Sequence, residues 1–208
     1  EKLLTIMNKI LLASNNTHKI KEFKKILEPE DIELIPQSDL GIPEIPETGL
    51  TFLENSILKA RNASLIGNLP AIADDSGIEV DALSGRPGIF SARYAGEQCD
   101  DEENNKLLLK ELSGVPQEKR TARYRCVIVY LENHNHPTPR IFDSSWEGYI
   151  VDQQVGENGF GYDPLFYLPD LQMTAAQLSE DLKNRISHRG KALSAFKKEL
   201  STISKNLL

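Results

Sequence analysis

The chain should fold as an α/β domain. An apolar run, a segment of helical spacing and a second apolar run open it, two long strand-like segments stand in its second half, and helices close it. Strands and helices that alternate in this way favour a sheet covered by helices. "KILLAS", Lys9 to Ser14, is short and apolar enough for a buried strand. In "THKIKEFKKIL", Ile20, Phe23, Ile26 and Leu27 recur at helical spacing with lysines between them. "DIELIP" reads as a second strand, stopped by Pro36. In "ETGLTFLENSILKARNASLIGN", Thr51 and Glu54 match a capping box, so a helix starts near Phe52 and runs to about Ile66, where Gly67-Asn68 stops it. Leu53, Ile57 and Ala60 share one face of that helix, and Asn55, Lys59 and Asn62 share a neighbouring one.

In "PAIADDSG", Ala71-Ile72-Ala73 reads as the end of a buried strand, met at once by Asp74 and Asp75. "CDDEENNKLLLKEL" reads as a surface helix whose acidic first turn suits the helix dipole. "TARYRCVIVYLE" and "PRIFDSSWEGYIV" read as two long strands, with the polar "NHNHPT" as their hairpin connection. "GFGYDPLFYLP" is a loop rich in glycine and aromatic residues that leads into a short strand. "TAAQLSEDLKNRI" is expected to be helical, and a last helix starts near Ser187 and runs through "KALSAFKKEL". With no repeat and no low-complexity linker, residues 7–208 read as one domain, divided at most into two lobes around a cleft. Residues 1–6 read as an extension ahead of Met7.

Bulk properties narrow the function. The 208 residues are 39% hydrophobic, ordinary for a globular chain, and no apolar run approaches the roughly 20 residues of a membrane helix. The N-terminus has no secretory pattern. Cys99 and Cys126 have neither metal-type spacing nor a disulfide framework, which suits a reducing cytoplasm. A net charge of −7 argues against nucleic acid as the main partner, since phosphate-backbone binding needs a basic footprint. It leaves room for a small phosphorylated ligand held by a few local lysines.

Five constellations carry chemistry. In the loop Ser14, Asn15, Asn16, Thr17, His18, Lys19, the N–H groups at the start of a helix suit phosphate, the asparagines tolerate a left-handed turn, and Lys19 adds charge. The plain alternative is a capped helix. Asp74 and Asp75, followed by Ser76, are two anions beside a buried run and need positive partners. They converge only if the strand ends there, because neighbours in a strand face opposite sides; the plain alternative is an Asx turn. Glu47 can be a metal ligand and Lys59 a partner for Asp74 or Asp75, although surface charge is the default for both types. Phe160, Gly161, Tyr162 and Asp163 place aromatics beside glycine, suited to stacking on a flat base or to filling a core. Lys183, His188 and Arg189 form a basic group whose last two members sit against the dipole of the last helix, pointing to an electron-rich ligand or to an exposed basic corner. A phosphate cradle, carboxylates, an aromatic shelf and a basic clamp together suit a nucleoside triphosphate.

"SNNTHK", "ETGLTFLENSILKA", "ADDSGIEVDALSGRPGIFSARYAG", "GFGYDPLF" and "ISHRGKAL" stand in the order found in the inosine triphosphate pyrophosphatase family, and the chain resembles its bacterial branch over nearly its whole length. The resemblance implies an elongated two-lobed α/β fold, a mixed twisted central sheet flanked by helices, and an active-site cleft between the lobes. It implies a homodimer that uses Mg²⁺ to hydrolyse ITP, dITP and XTP to the monophosphate and pyrophosphate. Asp75 would be the general base, and Glu47 and Asp75 metal ligands with Asp74 and Lys59 close by. The Ser14–Lys19 loop would hold phosphates, and Ser76, Phe160 to Asp163, Lys183, His188 and Arg189 would contact substrate. Where the family's loop commonly reads Thr-Gly-Asn, this chain has Ser14-Asn15-Asn16, so Asn15 must adopt the backbone that the glycine takes. Arg189, and His188 when suitably protonated, would donate to a 6-keto group, and Asp163 is the candidate reader of the 2-position. Two rivals stand beside this reading: a related pyrophosphatase for modified pyrimidines, and a nucleotide sensor without catalysis.

Overall fold

The structure is a computed structural model that describes residues 9–28, 30 and 32–206; the expected extension at 1–6 lies outside the described residues. Seven strands form one mixed sheet: β1 (Lys9–Leu12), β2 (Glu33–Pro36), β3 (Ala71–Val80), β4 (Thr121–Leu131), β5 (Arg140–Ile150), β6 (Phe166–Leu168) and β7 (Met173–Thr174), in the order β2-β1-β3-β4-β5-β6-β7. The helices are α1 (Thr17–Leu27), α2 (Phe52–Gly67), α3 (Asp101–Glu111), α4 (Glu180–Ile186) and α5 (His188–Asn206). The chain divides into two compact units, one reaching to Asp75 and taking in Cys126–Asp143 and the residues from Gly190, the other made of Ser76–Arg125 and Ser144–Arg189.

In the first unit β1 pairs in parallel with β2 and with β3, Leu12 facing Pro36 on one side and Ile72 on the other. Each strand is apolar on both faces because helices cover both. Ile10, Leu12 and Ile72 pack with Phe23 and Leu27 of α1 and with Ala192, Leu193 and Phe196 of α5. The alternate residues Leu11, Ala13, Ala71 and Ala73 pack against Ala60 and Ala63 of α2. Of the capping box foreseen for α2 the N-cap half is formed, Thr51 Oγ1 accepting from the Glu54 backbone N–H at 3.2 Å, whereas the Glu54 carboxylate takes the Leu50 N–H at 2.7 Å; Asn68 ends the helix in the left-handed conformation. In the second unit β5, β6 and β7 pair antiparallel, and Tyr124, Trp146, Phe166, Tyr162, Leu108 and Leu112 share one core.

Two elements depart from the sequence reading. Strand β3 does not end at Ala73 but continues through Asp74, Asp75, Ser76 and Gly77 to Val80, because each carboxylate finds an ammonium on its own face. The helix expected over "TAAQLSEDLKNRI" is confined to α4. Thr174 ends β7, Ala175–Gln177 makes one tight turn, and Ser179, extended, caps α4 by accepting from Leu182 N–H at 3.3 Å.

Phe23→Ala removes a ring with no exposed surface and is expected to cost about 3–5 kcal/mol. Thr51→Ala, which removes only a cap, is expected to cost about 1 kcal/mol. Urea unfolding of the two variants should therefore show the larger loss for the ring.

Candidate active site

The first unit gathers three carboxylates and two ammoniums. Strand alternation sets their pairing. Asp74 has the parity of Ile72, which packs against α1, and its carboxylate meets Lys19 of α1 at 3.1 Å. Asp75 has the parity of Ala71 and Ala73, which pack against α2, and its Oδ1 meets Lys59 of α2 at 3.3 Å. The same Lys59 Nζ lies 2.7 Å from Glu47 Oε1. Of the three acids expected around a metal, Glu47 and Asp75 thus converge on one point of positive charge, while Asp74 is turned to the other face.

Both groups of this pair are perturbed. Asp75 is buried, and its pKa is raised above 3.8 by that burial and by Glu47, against the pull of Lys59, Lys19 and the Asn55 amide. Burial pulls the Lys59 pKa down, but Asp75, Asp74 and Glu47 together outweigh it and hold the ammonium charged. Burial is thus the leading cause of the raised Asp75 value, and it outweighs the two lysines beside the carboxylate.

The phosphate-loop residues stand at the start of α1. Asn16 caps the helix, its Oδ1 accepting from Lys19 N–H at 3.0 Å, and its own N–H donates to Ser14 Oγ at 3.2 Å. Asn15, Thr17 and His18 are exposed beside it. Asn15 is not among the described residues with a left-handed backbone, so replacing glycine there brings no strain.

The second unit holds the aromatic and basic residues. Phe160 is half-buried, with Lys183 Nζ 4.6 Å and Arg189 Cζ 5.8 Å from its ring centre. Arg189, itself buried, donates to Ser76 Oγ at 2.8 Å. Tyr162 fills the core and donates to Ser91 O at 2.8 Å, so the two aromatics of the loop divide between shelf and core. Asp163 accepts from Phe160 N–H at 2.9 Å, from Tyr124 OH at 3.3 Å and from Lys183. Its carboxylate holds the loop, which argues against its reading a base. Burial, and then Asp163, push the Tyr124 phenol far above its usual pKa and keep it a donor. His188 is buried and lies flat against Tyr124, ring centres 4.7 Å apart, with Trp146 6.3 Å away.

Several supporting residues escaped the sequence reading. Asn55 joins Asp75, although its place on the Lys59 face of α2 was the available signal. Asp101 accepts from Gly161 N–H at 2.6 Å, and Asn105, one turn along α3, donates to Gly161 O at 3.0 Å. Nothing in the sequence marks that grip, because α3 and the loop are far apart along the chain.

Known proteins extend these observations. The profile of the Ham1 family matches residues 10–199. A dITP/XTP pyrophosphatase of Thioalkalivibrio sulfidiphilus is 56% identical over 185 residues, which is 89% of this chain and 94% of that protein. One of Nitrosomonas europaea is 53% identical over 195 residues, 94% and 95% of the two chains. Among solved structures, a HAM1 protein from Coxiella burnetii aligns with a TM-score of 0.88 at 46% identity over 93% of this chain and 98% of its own. The Ham1 protein of Staphylococcus aureus aligns with a TM-score of 0.83 at 44% identity, over the same shares. With the family profile matched over residues 10–199 and relatives alike over nearly the full length of both chains, the chain belongs to the Ham1 family.

Proposed function

We propose that the chain hydrolyses non-standard purine nucleoside triphosphates, namely dITP, XTP and ITP, to the nucleoside monophosphate and pyrophosphate, keeping such nucleotides out of DNA and RNA. Relatives named dITP/XTP pyrophosphatase, alike over most of both chains, support the substrate class. The observation that carries the chemistry is the buried Asp75, which shares the Lys59 ammonium with Glu47.

Mg²⁺ belongs to this reading. It takes hard oxygen ligands and often only one or two protein carboxylates, with phosphate and water completing the shell. No trio of His, Cys, Asp and Glu is gathered as a ready metal centre among the described residues. Glu47 and Asp75 nevertheless converge on one cationic point, and their oxygens are the hard donors that the ion takes, so the donor set fits. Glu47 and Asp75 would hold the ion, which when bound neutralises phosphate charge and acidifies water.

The residues divide the work. Asp75 accepts the proton of the water that attacks the α-phosphorus, and its raised pKa makes it a stronger acceptor than a solvated aspartate. Lys59 holds Asp75 and Glu47 in place. The backbone N–H groups of the Ser14–Lys19 loop bind the departing pyrophosphate, and Lys19 exchanges Asp74 for phosphate oxygen. In the second unit Phe160 offers the base an aromatic surface. Arg189 and Lys183 carry donors only, which match the 6-keto group of hypoxanthine and xanthine and leave the 6-amino group of adenine unmet. A homodimer in a reducing cytoplasm completes the reading; two cysteines without the spacing of a disulfide framework suit that compartment.

Three outcomes test this. Pyrophosphate release from a panel of dITP, ITP, XTP, GTP, ATP and dUTP, with and without Mg²⁺, should favour the first three and require the ion. Preference for dUTP would move the chain to pyrimidine chemistry, and no turnover would leave a nucleotide sensor. Asp75→Asn should lower kcat by about 10²–10⁴-fold while dITP still binds.

The third outcome is a dependence on pH. The Asp75 pKa is higher in the folded chain than its usual 3.8, so the folded state keeps a proton that the unfolded chain has already released. Its contribution to stability therefore falls as pH rises from the unfolded to the folded value. Unfolding of metal-free protein should show this decline in the wild type relative to Asp75→Asn, levelling off above the raised pKa.

A further inference from the structure

We propose that Asn55 is a positioning residue for this hydrolysis, its side-chain amide orienting the Asp75 carboxylate and tying it to the segment that carries Glu47. The inference rests on the proposed reaction and adds to it a residue two steps from the substrate. Asn55 lies on α2 one turn before Lys59 and has no exposed surface. Its Nδ2 donates to Asp75 Oδ2 at 3.1 Å, and its Oδ1 accepts from Gly49 N–H at 2.8 Å. Lys59 meets the other oxygen of Asp75, Oδ1, and through the same Nζ holds Glu47. The two oxygens of Asp75 are thereby made unlike: one is engaged by a neutral amide, the other faces the ammonium and Glu47.

Only a side chain with a donor and an acceptor together can make both bonds of Asn55. An ionised aspartate there accepts from Gly49 but opposes Asp75, and an aliphatic residue does neither. The amide orientation is fixed by its partners, since the flipped group would set oxygen against carboxylate and N–H against N–H. Gly49 supplies a second, independent sign of a built contact. A Cβ at that position would stand 2.6 Å from Glu54 Cβ and 2.7 Å from Asn55 Oδ1, so the segment approaches the amide as closely as only glycine permits. Outer partners of this kind commonly matter tenfold to a hundredfold for the groups they orient.

The test compares Asn55→Ala and Gly49→Ala with the wild type, using dITP and Mg²⁺. Each variant should lose kcat by about tenfold to a hundredfold, with KM changed by less than about threefold. Gly49→Ala alters no polar side chain and crowds Asn55 from the far side, so it decides the matter if Asn55→Ala does not fold. A folded variant of either kind with wild-type kcat overturns the proposal. A second readout needs no turnover. In metal-free protein, thermal unfolding of Asn55→Ala, Asp75→Ala and the double variant should give Tm losses that do not add, the double losing less than the sum; strictly additive losses overturn it. A wild type that releases no pyrophosphate from dITP strikes the proposed reaction instead, and the thermal cycle still decides whether Asn55 is coupled to Asp75.

Discussion

A single ammonium, that of Lys59, stands against two acids, and the charge cluster of the first unit is arranged around it. Lys59 meets Glu47 at 2.7 Å and Asp75 at 3.3 Å, from a helix whose cap and apolar face are independently secured. Without it, Asp75 and Glu47 would repel each other at a buried site, and one of them would take up a proton or turn away. With it, both remain beside one ammonium.

Alternation along β3 does the sorting. Consecutive residues of a strand face opposite sides, so Asp74 and Asp75 make their nearest ion pairs on different faces, although the Asp74 charge still acts on Lys59. Each takes the lysine of the helix on its own face, Lys19 or Lys59. The next residue, Ser76, belongs to the second unit and receives Arg189. Three successive positions thus carry three different duties, with no turn or bulge needed to separate them.

Local signals in the sequence were read well where short-range physics decides. The Thr51–Glu54 cap, the helical spacing of "THKIKEFKKIL" and the start of the last helix at the "SHRG" stretch all lie within a few residues of their causes. The acidic pair was harder. Two anions look like the end of a strand until their lysines, far away along the chain, are seen to neutralise them within it. "TAAQLSEDLKNRI" has helical spacing throughout, yet Thr174 pairs with Tyr167 in the sheet, so tertiary pairing overrides the pattern. Asp163 drew notice as a polar group beside glycine and aromatic residues, but that Tyr124, Lys183 and the Phe160 N–H all donate to it depends on contacts no window of sequence contains.

The stack of Tyr124, His188 and Trp146 has a practical side. The chain has one tryptophan, and its ring centre lies 6.3 Å from that of His188, the residue next to Arg189. Indole emission is sensitive to a neighbouring imidazole, and here it comes from one known position rather than from an average over several. The second unit therefore carries its own optical reporter, and shifts in its fluorescence would track rearrangement at the start of α5 without any attached dye.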